Sequence, residues 1–360
     1  MSYGVKIDIS NRAFRQIKTT LTNKIKKIVA KYGLDDEEWA QAISSQYFLL
    51  CLSQQLKWSK KDYANLLNKC LASFSVTYTG DYVLDNEKLL ITPDETNRII
   101  QCMQDEDNTD DYFTHSAKMQ AKNVDSERMY LNFHYGLLIR IVSSEDTEVL
   151  RAIKHSCLNR LLSDNALDTS DGWYPYRVPW ITARILISLS AIDFSSYPHK
   201  QQVDNIINAA ITSLYQRIDE KAAYWRSGVG KWVSKWESTA LCLEALSVWN
   251  TIPDHKSEIK RILDYVCSEE NRNLWLNNQV SFSTEEAAND TLSATILASV
   301  VFRISRDHFQ DVYDTVRDDI MQYLSDVINV INNQAVGKVR QYCTIPQILH
   351  YVLAVLENTN

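Results

Sequence analysis

The apolar positions change rhythm along the chain, and the first stretches read as helices of the N-terminal third. From Asn11 to Lys31, Phe14, Ile17, Leu21, Ile25 and Ile28 recur at steps of three and four. That period predicts one amphipathic helix with Ser10 as its cap. A second helix is predicted from Asp35-Asp36-Glu37-Glu38 to about Gln54, since acids suit the positive end of a helix. Ser59 with Asp62 three residues later predicts a capping-box-like start for a third, reaching about Phe74. "SVTYTGDYVLDNEKLLIT" is strand-like: Val76, Tyr78, Tyr82 and Leu84 around Gly80-Asp81 predict a short hairpin. Pro93 then opens a helix through Gln104. "DEDNTDDYFTHSAK", residues 105–118, is acidic, lacks large aliphatic residues and reads as an exposed loop. Its aspartates fit no EF-hand spacing.

Beyond the loop the pattern repeats. "WITARILISLSAI" from Trp180, "WESTALCLEALSVW" from Trp236 and "NDTLSATILASVVF" from Asn289 each place a Thr or Ser before an apolar helix. The anchors Thr182, Thr239 and Ser293 are roughly 55 residues apart, the spacing of a helical repeat. Weaker copies are "RQYCTIPQILHYVLAVLE", anchored on Thr344, and "RMYLNFHYGLLIRIV" from Arg128. One amphipathic helix lies between successive anchors: "VDNIINAAITSLYQRI", "SEIKRILDYVCSEE" and "FQDVYDTVRDDIMQYLSDVINVI". Helices apolar nearly all round belong inside, and helices with a single apolar stripe belong outside. A closed ring of such pairs buries every inner helix without an exposed end unit. The predicted fold class is therefore all-α, an α/α toroid over 119–360 preceded by a small helical region over 1–104. An open solenoid of helix pairs is the alternative.

Composition narrows the class. Hydrophobic residues make up 45% and charged residues 23%, and only 8 Gly and 6 Pro are present. That is a globular chain without the turns of a sheet-rich fold. No apolar run approaches the ~20 residues of a membrane span. Seven cysteines are scattered singly, with no CxxC, as expected of reduced thiols in a cytoplasmic protein. "MSYGVKIDIS" has no apolar signal core, so secretion is not expected. The net charge is −7, yet residues 1–31 carry eight basic residues against Asp8 alone. The lysines there form either a solvated helix face or an arm for an acidic partner. Nucleic-acid binding is not expected except through this helix, because the rest of the chain is strongly acidic.

"DGWYPYRVPWITARILISL" from Asp171 and "YWRSGVGKWVSKWESTALCLEAL" from Tyr224 resemble the repeats of terpenoid cyclases and protein prenyltransferase β subunits. Those families place Gly-Trp-type turns before Thr-Ala inner helices. The resemblance covers roughly residues 120–358 and implies the toroid fold. It also implies sites to examine. Class II cyclases carry Asp-x-Asp-Asp-Thr-Ala at an inner-helix start, where a carboxylic acid in a dry pocket protonates an alkene. Aligned on Thr239-Ala240, only Glu237 stands as an acid, at the proton donor's position; in the next repeat Asp290 precedes Thr291. Prenyltransferases bind zinc through Asp, Cys and His, and Asp290, Cys343 and His350 occur here in that order. The Asp-x-Cys pairing of that family is absent, and no metal site or cofactor is expected.

The aromatics supply the main candidate binding residues. Trp173, Tyr176, Trp180, Trp225, Trp232, Trp236 and Trp275 fall in or beside the loops that lead into inner helices, interleaved with Arg177 and Arg226. In a toroid those loops meet at one end. The residues then either pave a rim for a protein partner or a small apolar or aromatic ligand, or plug the barrel end. The functional expectation is a non-catalytic, degenerate cyclase-like module acting through this rim. The alternative is an isoprenoid-handling enzyme using Glu237 or Asp290.

Overall fold

A computed structural model describes residues 43–63, 66–67, 154–155, 158, 162, 167–168, 172–173, 179–195, 197, 200–219, 223–225, 234–276, 280–333 and 344–357. The expected basic helix, the hairpin, the Pro93 helix, the acidic loop and the copy from Arg128 lie outside them.

The elements are α1 (Ile43–Gln55), a two-residue antiparallel pair β1 (Leu167–Asp168) and β2 (Gly172–Trp173), α2 (Pro179–Leu189), α3 (Lys200–Gln216), α4 (Lys235–Val248), α5 (Lys256–Val266), α6 (Glu269–Leu276), α7 (Glu285–His308), α8 (Gln310–Asn333) and α9 (Ile345–Glu357). The described residues are all-α apart from that short ladder, which pairs Leu167 with Trp173 and Asp168 with Gly172. The predicted start of the third helix is present: the Asp62 backbone N–H donates to Ser59 Oγ at 3.1 Å. The Ser59 hydroxyl also donates to Asp62 Oδ2.

The two classes of helix separate as their patterns require. Every residue of α4 from Glu237 to Leu246 is buried, and α2 is buried on nearly all sides. By contrast α5 buries only Ile259, Ile262, Leu263 and Val266, one stripe. Likewise α3 buries Val203, Ile207, Ala210, Ile211 and Leu214. Each such aliphatic side chain contributes about 1.5–3 kcal/mol on leaving water. The order of packing follows the chain: α2 against α4, α4 against α7, α7 against α9, and α9 against α1. Outer helix α3 packs on α2, and α8 on α7. Thus α1, from the region expected to precede the repeats, joins the same apolar core as the last inner helix.

Local chemistry fixes the inner-helix ends. Ser234 caps α4 by accepting from the Glu237 backbone N–H, and Thr284 caps α7 by accepting from Ala287. After α4 the chain turns through Asn250 at φ 54°. Asn250 N–H then reaches Ser247 O, and Thr251 N–H reaches Leu246 O, both at 3.0 Å, closing the free carbonyls.

α4 and α7 run in the same sense: Glu237 meets Ser293 near both starts, and Glu244 meets Arg303 further along. One bond skips a helix. The Tyr351 hydroxyl on α9 donates to Glu244 on α4 at 2.7 Å, although α7 is the neighbour of both. The polar side chains of α2, α4, α7 and α9 that make these bonds gather on one side of the row.

Candidate functional site

That side of the row carries two carboxylates of α4, two turns apart. Glu237 accepts from Arg184 Nη2 of α2 on Oε1 at 2.8 Å, and from the Ser293 hydroxyl of α7 on Oε2 at 3.2 Å. Arg184 also lies 5.9 Å from the centre of the buried Trp180 ring, between the indole and the acid. Glu244 accepts from Tyr351 on Oε2 and, at 3.5 Å, from Arg303 Nη2 of α7 on Oε1. Burial pushes the Tyr351 hydroxyl pKa well up, and the neighbouring Glu244 charge adds to the rise, opposed by Arg184 and Arg303. Four helices are therefore tied by one polar cluster, and a substrate would have to displace a donor to reach Glu237.

The sequence offered Glu237 but not its partners. Arg184 stands alone in "WITARILISL", Glu244 in "TALCLEAL" and Arg303 in "ASVVFRIS". A solitary charge inside a helix apolar on every side is the readable signal, because such a charge must find a partner when buried.

Asp290 is exposed near the start of α7, far from the dry setting an alkene-protonating acid requires. The repeat register shifts with it. Thr239 Oγ1 accepts the Trp225 backbone N–H at 3.3 Å, and Thr291 Oγ1 accepts that of Ser281 at 3.3 Å. The anchor that holds the incoming loop in the third unit is Thr291, two residues before the expected Ser293. Ser293 serves Glu237 instead.

The expected rim residues divide. Trp225 and Trp275 are 0% exposed, so neither presents surface to a ligand. Their indole N–H groups donate to Leu214 O at 2.7 Å and Val266 O at 3.0 Å, carbonyls in the last turns of α3 and α5. Each tryptophan plugs its unit and satisfies a helix-end carbonyl. Trp180 is buried as well. Trp236 is half-buried, and Lys235 Nζ lies 4.3 Å from its ring centre and 5.4 Å from that of Tyr224. Tyr224 stacks in turn on Tyr265, centroids 5.8 Å apart. Tyr224, Lys235, Trp236 and Tyr265 thus form a partly exposed aromatic-cation ladder beside the start of α4. Trp173 is placed by its backbone in β2, and Tyr176, Arg177, Arg226 and Trp232 lie outside the described residues.

Of the Asp290, Cys343 and His350 set, Asp290 faces solvent, and His350 Nδ1 lies 3.2 Å from Gln55 Oε1 with its ring near Phe48. Cys343 lies outside the described residues. Among those residues no group of three or more His, Cys, Asp or Glu is placed to hold a metal ion, and no helix is long and apolar enough to cross a membrane. No family model, curated protein or solved structure matches the chain.

Proposed function

We propose that the chain is a non-catalytic α/α toroid of the terpenoid cyclase or prenyltransferase type, a cytoplasmic binding or scaffold module whose aromatic-basic rim grips a protein partner. The order of packing, α2 on α4, α4 on α7, α7 on α9 and α9 on α1, supports the ring. The observation that carries the binding role is the half-buried ladder of Tyr224, Lys235, Trp236 and Tyr265. Flat rings and a cation at the water boundary are the composition of an interface anchor. Both Glu237 oxygens accept hydrogen bonds from neighbouring helices, which favours a structural carboxylate over a proton donor. Free thiols at Cys51, Cys242 and Cys267 suit the reducing cytosol.

Trp236→Ala tests the reading. Loss of an anchor costs ~2 kcal/mol or more in binding, about thirtyfold in affinity, with melting within a few degrees of the parent. Affinity is read on the partner recovered with the wild-type chain, and Glu237→Gln is assayed beside it. A drop of roughly ten degrees for Trp236→Ala would make the ring a structural plug. Turnover of an isoprenoid diphosphate by the parent, abolished in Glu237→Gln without a change in melting, would replace the scaffold with the enzyme.

A further inference from the structure

The ladder beside α4 carries a charge that the fold leaves uncompensated. Lys235 is the first residue of α4, directly after the Ser234 cap. A helix start bears a partial positive charge, so an acid is favoured there and a lysine is not. The acid of the same turn, Glu237, is buried and held by Arg184 and Ser293. Among the described residues no carboxylate pairs with Lys235. Its ammonium instead meets the Trp236 ring at 4.3 Å and the Tyr224 ring at 5.4 Å. By contrast Lys200 pairs with Asp204, Lys260 with Asp264 and Asp311, and Arg272 with Asp319.

The backbone is strained where it presents these rings. Tyr224 follows Ala223, whose φ of 50° lies in the left-handed region that favours glycine. Two bonds close that turn: Ala223 N–H donates to Asp219 O at 2.9 Å, and Asp219 N–H donates to Tyr224 O at 3.0 Å. Such strain persists only where the surroundings over-determine the conformation. Trp225 then enters the core, while Tyr224 stays at the boundary, stacked on Tyr265. Two ring faces pin the Lys235 head, so less freedom is lost when it pairs. The far end of the ladder has the opposite sign. Burial raises the Tyr265 hydroxyl pKa, and Tyr224, Glu270 and Asp219 add to the rise. The ladder thus runs from positive at Trp236 to negative at Tyr265.

We infer that the ladder docks an acidic segment of the protein partner, with one carboxylate seated on Lys235 beside the Trp236 and Tyr224 rings. The inference rests on the ladder being the partner-gripping surface proposed above. An ion pair at Lys235 keeps both ring contacts and offsets the positive helix start. A basic segment would meet like charge at the same place.

The probe is a fluorescein-labelled decapeptide of alternating Glu and Gly, beside the same peptide with Gln for Glu. Anisotropy is read against the full chain at pH 7 and about 20 mM salt, where surface charges are little screened. The acidic peptide binds and the Gln peptide does not. Lys235→Met weakens binding about threefold or more, the size of an exposed ion pair, and Lys235→Arg keeps most of it. Trp236→Ala weakens it as well. Lys200→Met removes an exposed charge already paired with Asp204 and leaves it unchanged. Lys235 and Lys200 are surface positions, so their variants melt like the parent. No binding of the acidic peptide, or equal binding of the Gln peptide, overturns the inference. If Lys235→Met has no effect while Trp236→Ala weakens binding, the acidic occupant fails and the ladder remains a contact surface. If neither substitution has an effect, the peptide sits on another basic surface and both readings of the ladder fail.

Discussion

Tyr351 donates its hydroxyl to Glu244 at 2.7 Å and so joins the last helix of the repeats to the central one. Removing Glu244 leaves the Tyr351 hydroxyl without its acceptor in the core, and removing Tyr351 leaves Glu244 with Arg303 at 3.5 Å. A hydrogen bond to a charged group contributes about 1.5–3 kcal/mol. Tyr351→Phe is expected to destabilise by that amount, and Glu244→Gln by a similar one. Tyr351→Phe with Glu244→Gln costs less than the sum, because the second change removes what the first left unpaired. Urea unfolding of the four species gives the coupling; strictly additive values would show that the two side chains do not interact.

Arg184 tests the other carboxylate. The pair with Glu237 is mostly buried, with side-chain exposures of 13% and 10%. Arg184→Met leaves the carboxylate in the core with Ser293 alone among its described side-chain partners. The expected cost is about 3–5 kcal/mol, and Arg184→Met with Glu237→Leu recovers much of it. Equal stability of the parent and the single variant would place the carboxylate in water.

Trp225 and Trp275 are expected to behave alike, and unlike Trp236. Truncating either to Ala opens a cavity and frees a helix-end carbonyl, for about 3–5 kcal/mol. Replacement by Phe keeps most of the volume and loses only the indole donor, for about 1–2 kcal/mol. Calorimetric melts that rank Trp225→Ala with Trp236→Ala would contradict the plug assignment.

Alkaline pH is the weak side of this core. Burial raises the Tyr323 hydroxyl above its ordinary 10.0, and burial with the Glu244 charge raises Tyr351. A raised acid favours the folded state fully below the unfolded value and less as pH climbs through the folded one. Stability is therefore expected to hold to about pH 10 and fall beyond it. Tyr323→Phe flattens that fall, read as the urea midpoint at pH 9 and pH 11. The Cys267 thiol, pushed up to about 12 by burial, stays unalkylated at pH 8 in the folded protein, as mapped by mass spectrometry.

The sequence made the helices legible because inner and outer units differ in period: "TALCLEAL" has no polar stripe, whereas "SEIKRILDYV" has one. It exposed the Ser59 and Asp62 turn for the same reason, since capping is local. The site was less legible. Trp225, Trp275 and Trp236 share one composition and one loop context, yet two are core and one is at the surface. What separates them is whether an outer-helix carbonyl lies within reach of the indole N–H, a relation between elements that spacing does not encode. Thr291 was hidden similarly, because Thr291 and Ser293 are equally plausible anchors until the incoming loop is placed.

The bond that skips a helix bears on how the chain can vary in length. Open helical solenoids gain or lose a unit readily, since each unit touches only its neighbours. Here Glu237 needs α2 and α7 at once, and Glu244 needs α7 and α9. Duplicating or deleting one helix pair within this row would leave a buried carboxylate facing the wrong partner. The number of helix pairs between α2 and α9 is thereby constrained by hydrogen bonds and ion pairs in which each carboxylate needs two helices at once.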